Sequence, residues 1–126
     1  MDLTNVYRVG QFIDTFAPGH YARVLEAQDL RHARSVAFKV LRPEHLRPNG
    51  EMRWEYRAFA NEASILHALR SSPNPAHLLD CGYVSTIGEA PSDGEIISFG
   101  QDVAAFKAAQ SEHASIGWRP YLALEN

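Results

Sequence analysis

Lysine is almost missing from this chain: of its twelve basic residues only Lys39 and Lys107 are lysines, and the other ten are arginines. Acidic residues outnumber the basic ones, for a net charge of -3 and a pI near 6.0. That leaves no basic field of the kind that tracks a phosphate backbone, which argues against nucleic acid as a partner. A single cysteine, Cys81, excludes an internal disulfide and fits a reducing compartment. No apolar run approaches the ~20 residues that cross a bilayer, and the opening MDLTNVYRVG has no apolar signal core. The expectation is therefore a cytoplasmic chain without a membrane segment. Repeats and low-complexity tracts are also missing. What is present is ordinary for a folded domain: 126 residues, 45% hydrophobic and 21% charged, enough for one domain with a real core.

Hydrophobic patterning divides the chain into segments. Tyr7 to Ile13 alternates loosely and predicts a strand, and DTFAPGH, residues 14–20, is a loop punctuated by Pro18-Gly19. A second strand is predicted from Tyr21 to Ala27, with Gln28 to Arg34 as its polar return. Ser35 to Leu41 is the clearest strand. Pro43, Pro48 and Gly50 then forbid continuous structure until about Glu51. In EMRWEYRAFANEASILHALR, residues 51–70, the spacing of Met52, Tyr56, Phe59, Ala63, Leu66 and Leu69 predicts a helix with one apolar stripe, ended before Pro73. HLLDCGYV at 77–84 and WRPYLALE at 118–125 read as two further strands. Residues 85–117 between them read as an insertion, mostly loop, with Phe99, Val103, Phe106 and Gln110 hinting at a short helix. In Asp80-Cys81-Gly82 the glycine suggests a bulge within the fourth strand.

One lysine breaks the clearest strand. In SVAFKVL, Val36, Phe38 and Val40 face one side of the sheet; Ala37, Lys39 and Leu41 face the other. On the predicted helix, Glu62 sits between Phe59 and Leu66 at the edge of the apolar stripe, where a lone carboxylate is costly to desolvate. Pairing Lys39 with Glu62 answers both problems and leaves an ammonium in a defined place with donors to spare. The small Ala37, about 6.6 Å away on the same strand face, leaves room for a flat ring whose phosphates the lysine could reach. The alternative is a solvated surface strand with a snorkelling lysine.

VAFKVLRPEHL resembles the third strand of the protein kinase catalytic domain, whose motif is V-A-I-K, here with Phe38 for the isoleucine. KVLRPE is similar to bacterial serine/threonine kinases of the eukaryotic type. FANEASILHAL resembles the family's helix with its glutamate at Glu62, NPAHLLDCGYV its fourth strand, and YLALEN its fifth strand entering the hinge. The resemblance covers most of 7–84 and 118–126. It implies an α+β fold: a five-stranded antiparallel sheet with one main helix, the small lobe of a kinase spanning 1–126, with 85–117 inserted between the fourth and fifth strands. It further implies ATP as ligand, with Lys39 on its phosphates and Glu62 holding Lys39. Val24 and Ala37 would lie against adenine, Leu124 at the gatekeeper position and the Glu125 backbone on the adenine amino group.

The chain departs from that family in two places. Aligned back from Val24, the glycine-rich loop reads Ala17-Pro18-Gly19-His20-Tyr21-Ala22-Arg23-Val24, so that of its glycines only Gly19 survives, and Tyr21 matches the aromatic at the loop tip. A forward alignment from Tyr7 gives a longer loop, and both registers stay open. No histidine is followed by Arg-Asp, and there is no Asp-Phe-Gly. The catalytic base and the Mg²⁺ ligands would come from a large lobe beyond Asn126, so the expectation is that this chain alone transfers no phosphoryl group. His20, His32, His45, His67, His77 and His113 form no ligand pattern, so no metal site is expected, and Ser64 and Ser72 lack a nucleophile context. Three functions are carried forward: the ATP-binding part of a serine/threonine kinase, a pseudokinase-type docking module, and a small-molecule phosphotransferase. An uncovered cleft face around Val24, Ala37 and Leu124 implies self-association.

Overall fold

The computed structural model describes residues 1–14, 20–46, 52–73 and 76–126. Strands β1 (Tyr7–Phe12), β2 (Ala22–Asp29) and β3 (Arg34–Leu41) form a meander, and helix α1 (Trp54–Ala68) leads to β4 (Leu78–Val84). Then come the short strand β5 (Ile96–Ser98), helices α2 (Val103–Ala108) and α3 (Gln110–Ser115), and β6 (Arg119–Glu125). The six strands form one antiparallel sheet in the order β1-β2-β3-β6-β4-β5.

The fold class expected from sequence, α+β with an antiparallel sheet, is the one observed. The strand count is not: six strands replace the expected five, because Ile96–Ser98 adds an edge to β4. Residues 85–117 are mostly loop, as expected, but they hold two short helices where one was hinted. Asp102 caps α2 by accepting from the Ala105 N–H at 3.1 Å, and Gly100 and Gly117 take positive φ of 60° and 80°, which reverses the chain on either side of the two helices. A further correction concerns Gly82. It is in register opposite Ser98 and Tyr121, while the irregularity of β4 lies between Leu78 and Asp80.

Core side chains lie on both faces of the central strands β3, β6 and β4, which is why β3 reads as a nearly continuous apolar run. Val36, Phe38 and Val40 pack with Leu25, Tyr7 and Tyr121 on one face. Phe38 stacks on Tyr121 at 4.8 Å, and Tyr7 meets Phe38 edge-on at 5.1 Å. The residues before β1 reach the start of β5: the Leu3 N–H donates to the Gly94 carbonyl and the Ile96 N–H to the Met1 carbonyl, each at 2.9 Å. The opposite face, with Leu41, Cys81, Tyr83 and Leu122, is covered by Tyr56, Phe59, Ala60 and Ala63 of α1 and by Val103, Phe106 and Ala114 from α2 and α3.

Two carboxylates fasten the meander. Asp29 is buried at the β2–β3 turn, where it accepts from the Arg31 N–H at 3.1 Å and from Arg34 Nε at 3.0 Å, with His32 Nδ1 at 2.8 Å. Asp14 accepts from Arg23 Nε at 3.0 Å and from the Val24 N–H at 3.1 Å. Burial alone would raise both carboxyls. The hydrogen bonds and cations around them outweigh it and hold both below the usual carboxylate range. A depressed folded-state pKa contributes stability that is full above the unfolded value, about 3.9, and is lost as pH falls through the folded value. The urea midpoint is therefore expected to hold steady from about neutral pH to about pH 5 and to drop below about pH 4. Asp29→Asn should flatten that drop, and an unchanged acid limb in this variant would remove Asp29 from the account.

Candidate functional site

Lys39 and Glu62 meet between β3 and α1. The Lys39 Nζ donates to both carboxylate oxygens of Glu62, at 2.7 and 3.1 Å. Their side chains keep 21% and 30% exposure, so the pair is open to solvent and to a ligand rather than sealed in the core. An ion pair this exposed contributes at most about 1 kcal/mol to folding. The helix is held on the sheet by Tyr56, Phe59, Ala60 and Ala63 instead. The fold thus holds the ion pair in place without depending on it.

Beside Lys39 the surface opens into a cleft of about 500 Å³ lined by Asp14, His20, Tyr21, Ala22, Val24 and Lys39. Cross-strand pairing sets which side chains share this face: Val24 lies opposite Lys39, Lys39 opposite Leu122, and Ala37 opposite Leu124. Val24, Ala37 and Leu124 are half-buried and continue the cleft face as an apolar strip. Tyr21 closes one end. Its ring packs edge-on against Trp54 at 5.7 Å and Phe59 at 6.1 Å, and the Lys39 ammonium lies 5.9 Å from its centroid.

The sequence-predicted residues Tyr21, Val24, Lys39 and Glu62 are therefore brought together, with Ala37 and Leu124 on the same sheet face. Glu125 stands apart at the exposed end of β6, its side chain 2.8 Å from His77 Nδ1 and its N–H donating to the His77 carbonyl at 2.9 Å. Ala17 and Gly19 lie outside the described residues. Asp14 and His20 were missed as cleft residues. Asp14 follows β1 and His20 precedes β2, outside either strand, where no periodicity marks which side chain turns inward.

Chemically, the cleft offers an ammonium held by Glu62, a half-buried apolar strip, and a carboxylate, Asp14, already engaged by Arg23 and the Val24 N–H. Asp80, the aspartate of the Asp-Cys-Gly run, takes no part. It is 2% exposed on the other face of the sheet and accepts at 2.6 Å from each of the hydroxyls of Tyr7, Tyr121 and Ser98, at 2.8 Å from the Gly100 N–H and at 3.4 Å from Arg31 Nη2. Cys81 is buried, and burial pushes its thiol up to about 12, so it offers no nucleophile. Among the described residues no group of three or more His, Cys, Asp or Glu could hold a metal ion, and no helix is long and apolar enough to cross a membrane. The chain matches no protein-family model and no curated protein.

Proposed function

We propose that the chain is the ATP-binding small lobe of a serine/threonine protein kinase, in which the complete protein passes the γ-phosphoryl group of ATP to a protein hydroxyl. The observation that carries this reading is the bidentate Lys39–Glu62 pair at the mouth of a cleft of about 500 Å³. An ion pair of this length is ordinary on a protein surface, but one that fixes an ammonium at 2.7 Å beside a cleft suits a phosphate-binding lysine, whose charge must stay aimed while the polyphosphate arrives. In this reading Lys39 donates to the α- and β-phosphates and Glu62 keeps it there. Val24, Ala37 and Leu124 receive the adenine, and the Glu125 backbone accepts from its amino group. The nucleotide brings the polyphosphate, and base and metal ligands belong to a large lobe.

Titration of the chain with ATP and with adenosine tests the reading. Lys39→Met removes a charge-assisted hydrogen bond to phosphate worth about 1.5–3 kcal/mol, so ATP affinity should fall about 10- to 150-fold. Adenosine affinity should stay as it was. Equal ATP affinity in the wild type and in Lys39→Met refutes the assignment, and wild-type protein that binds neither ligand at millimolar concentration leaves the docking-module reading in its place.

A further inference from the structure

The segment between β4 and β6 packs against the helix that carries Glu62. Tyr83 of β4 sits at the centre of the contact. Its hydroxyl donates to the Phe106 carbonyl at 2.6 Å, and its ring lies 5.0 Å from Phe106, 4.5 Å from the stacked His113 and 6.2 Å from Tyr56 of α1. Tyr56 in turn donates its hydroxyl to the Trp118 carbonyl at 2.7 Å. One turn of α1 is thus tied by a directional bond to the residue that leads from α3 into β6, and, through the Tyr83 ring of β4, to Phe106 of α2. Glu62 sits on the same helix between Phe59 and Ala63, both buried in the core that Val103, Phe106 and Ala114 help to form. The rotation of α1 about its axis decides where the Glu62 carboxylate points, and these contacts join the packing of α1 on the sheet in holding it.

In the first turn of α1, Trp54 is 65% exposed and meets Tyr21 edge-on, Glu55 is buried with its carboxylate 3.1 Å from His45 Nδ1, and Arg53 at the N-cap makes no side-chain capping bond. A helix without a good cap depends on tertiary contacts for its position. We infer that the helical pair Val103–Ser115, with Trp118, is a built-in brace for α1, and that Tyr56 and Phe106 are positioning residues that keep Glu62 on Lys39. This rests on the nucleotide-binding reading above and adds to it the device that keeps the ion pair formed before any ligand or partner arrives.

The test separates positioning from mere packing by comparing two ligands. Phosphates contact Lys39 and adenosine does not, so a displaced Glu62 weakens ATP while leaving adenosine alone. Phe106→Ala is expected to lower ATP affinity about 3- to 10-fold with adenosine unchanged, Tyr56→Phe about 2- to 4-fold, and Phe106→Leu to recover most of the loss. Tyr56→Phe and Phe106→Leu keep core volume nearly constant, so they carry the test if Phe106→Ala does not fold. In a Glu62→Gln background the same changes should have no further effect on the ratio of the two affinities. If ATP and adenosine weaken together, or neither weakens, while Glu62→Gln alone cuts ATP affinity, the brace is wrong and the nucleotide reading stands. If Glu62→Gln and Lys39→Met also leave ATP affinity unchanged, the nucleotide reading fails, and the brace's role at the site fails with it.

Discussion

Asp80→Ala should leave the domain unfolded or barely folded at 37 °C. The carboxylate of Asp80 joins elements far apart in the chain: Tyr7 of β1, Arg31 of the β2–β3 turn, Ser98 of β5, Gly100 and Tyr121 of β6. Tyr7 and Tyr121 are 1% and 0% exposed, and burial beside the Asp80 charge pushes both phenols well above their ordinary range. Both stay protonated donors with no water to turn to. Deleting the acceptor orphans three hydroxyls and an amide at about 1–3 kcal/mol each for those fully desolvated. Partial relaxation leaves an expected net loss of about 4 kcal/mol or more, against a total stability of about 5–15 kcal/mol. Thermal unfolding followed by circular dichroism should show a midpoint lowered by about 15 °C or more. Asp80→Asn keeps one acceptor oxygen and should lose roughly half as much. A midpoint within about 5 °C of wild type in Asp80→Ala would mean that the buried network is satisfied some other way.

Gly82→Ala is expected to be nearly as damaging, for a steric rather than a polar reason. A Cβ at this position would stand 1.9 Å from the Ile97 carbonyl oxygen and 2.8 Å from Cε2 of Tyr121. The first obstacle is backbone within the β4–β5 ladder, where Gly82 lies opposite Ser98. It can give way only by moving β5, and with it the Ser98 hydroxyl and Gly100 N–H that donate to Asp80. The cost should reach about 3 kcal/mol or more. Gly88→Ala is the control: its nearest neighbour would be at 3.5 Å, an ordinary contact, so stability should stay within about 0.5 kcal/mol. Equal urea midpoints for the two variants would overturn the explanation of Gly82.

These two residues also show why the Asp-Cys-Gly run was misleading in one dimension. The sequence suggested a bulge at Gly82, whereas the glycine admits a neighbouring strand that comes from fourteen residues further on. Nothing local to Asp80 announces Tyr7 or Tyr121 as its partners. Ile96–Ser98 is too short for alternation to declare a strand, and α2 and α3 are six residues each, less than two turns, so the loop-forming Gly, Pro and Ser around them dominated the expectation. Lys39 and Glu62 were legible because each is a charged residue inside an otherwise apolar pattern, one with period two and one with period three to four.

By itself, the sequence determined the local elements β1 to β4, α1 and β6, to within a few residues at each end, and it marked Lys39 and Glu62 as side chains in need of each other. Alternation and helical periodicity are properties of neighbouring residues, so they are written in the chain directly. Only the tertiary structure decided that β6 enters between β3 and β4, that 96–98 extends the sheet, that Asp14 and His20 line the cleft and that α2 and α3 pack on α1. Those outcomes depend on which distant surfaces bury one another, and burial is a property of the assembled fold that no short window of sequence contains.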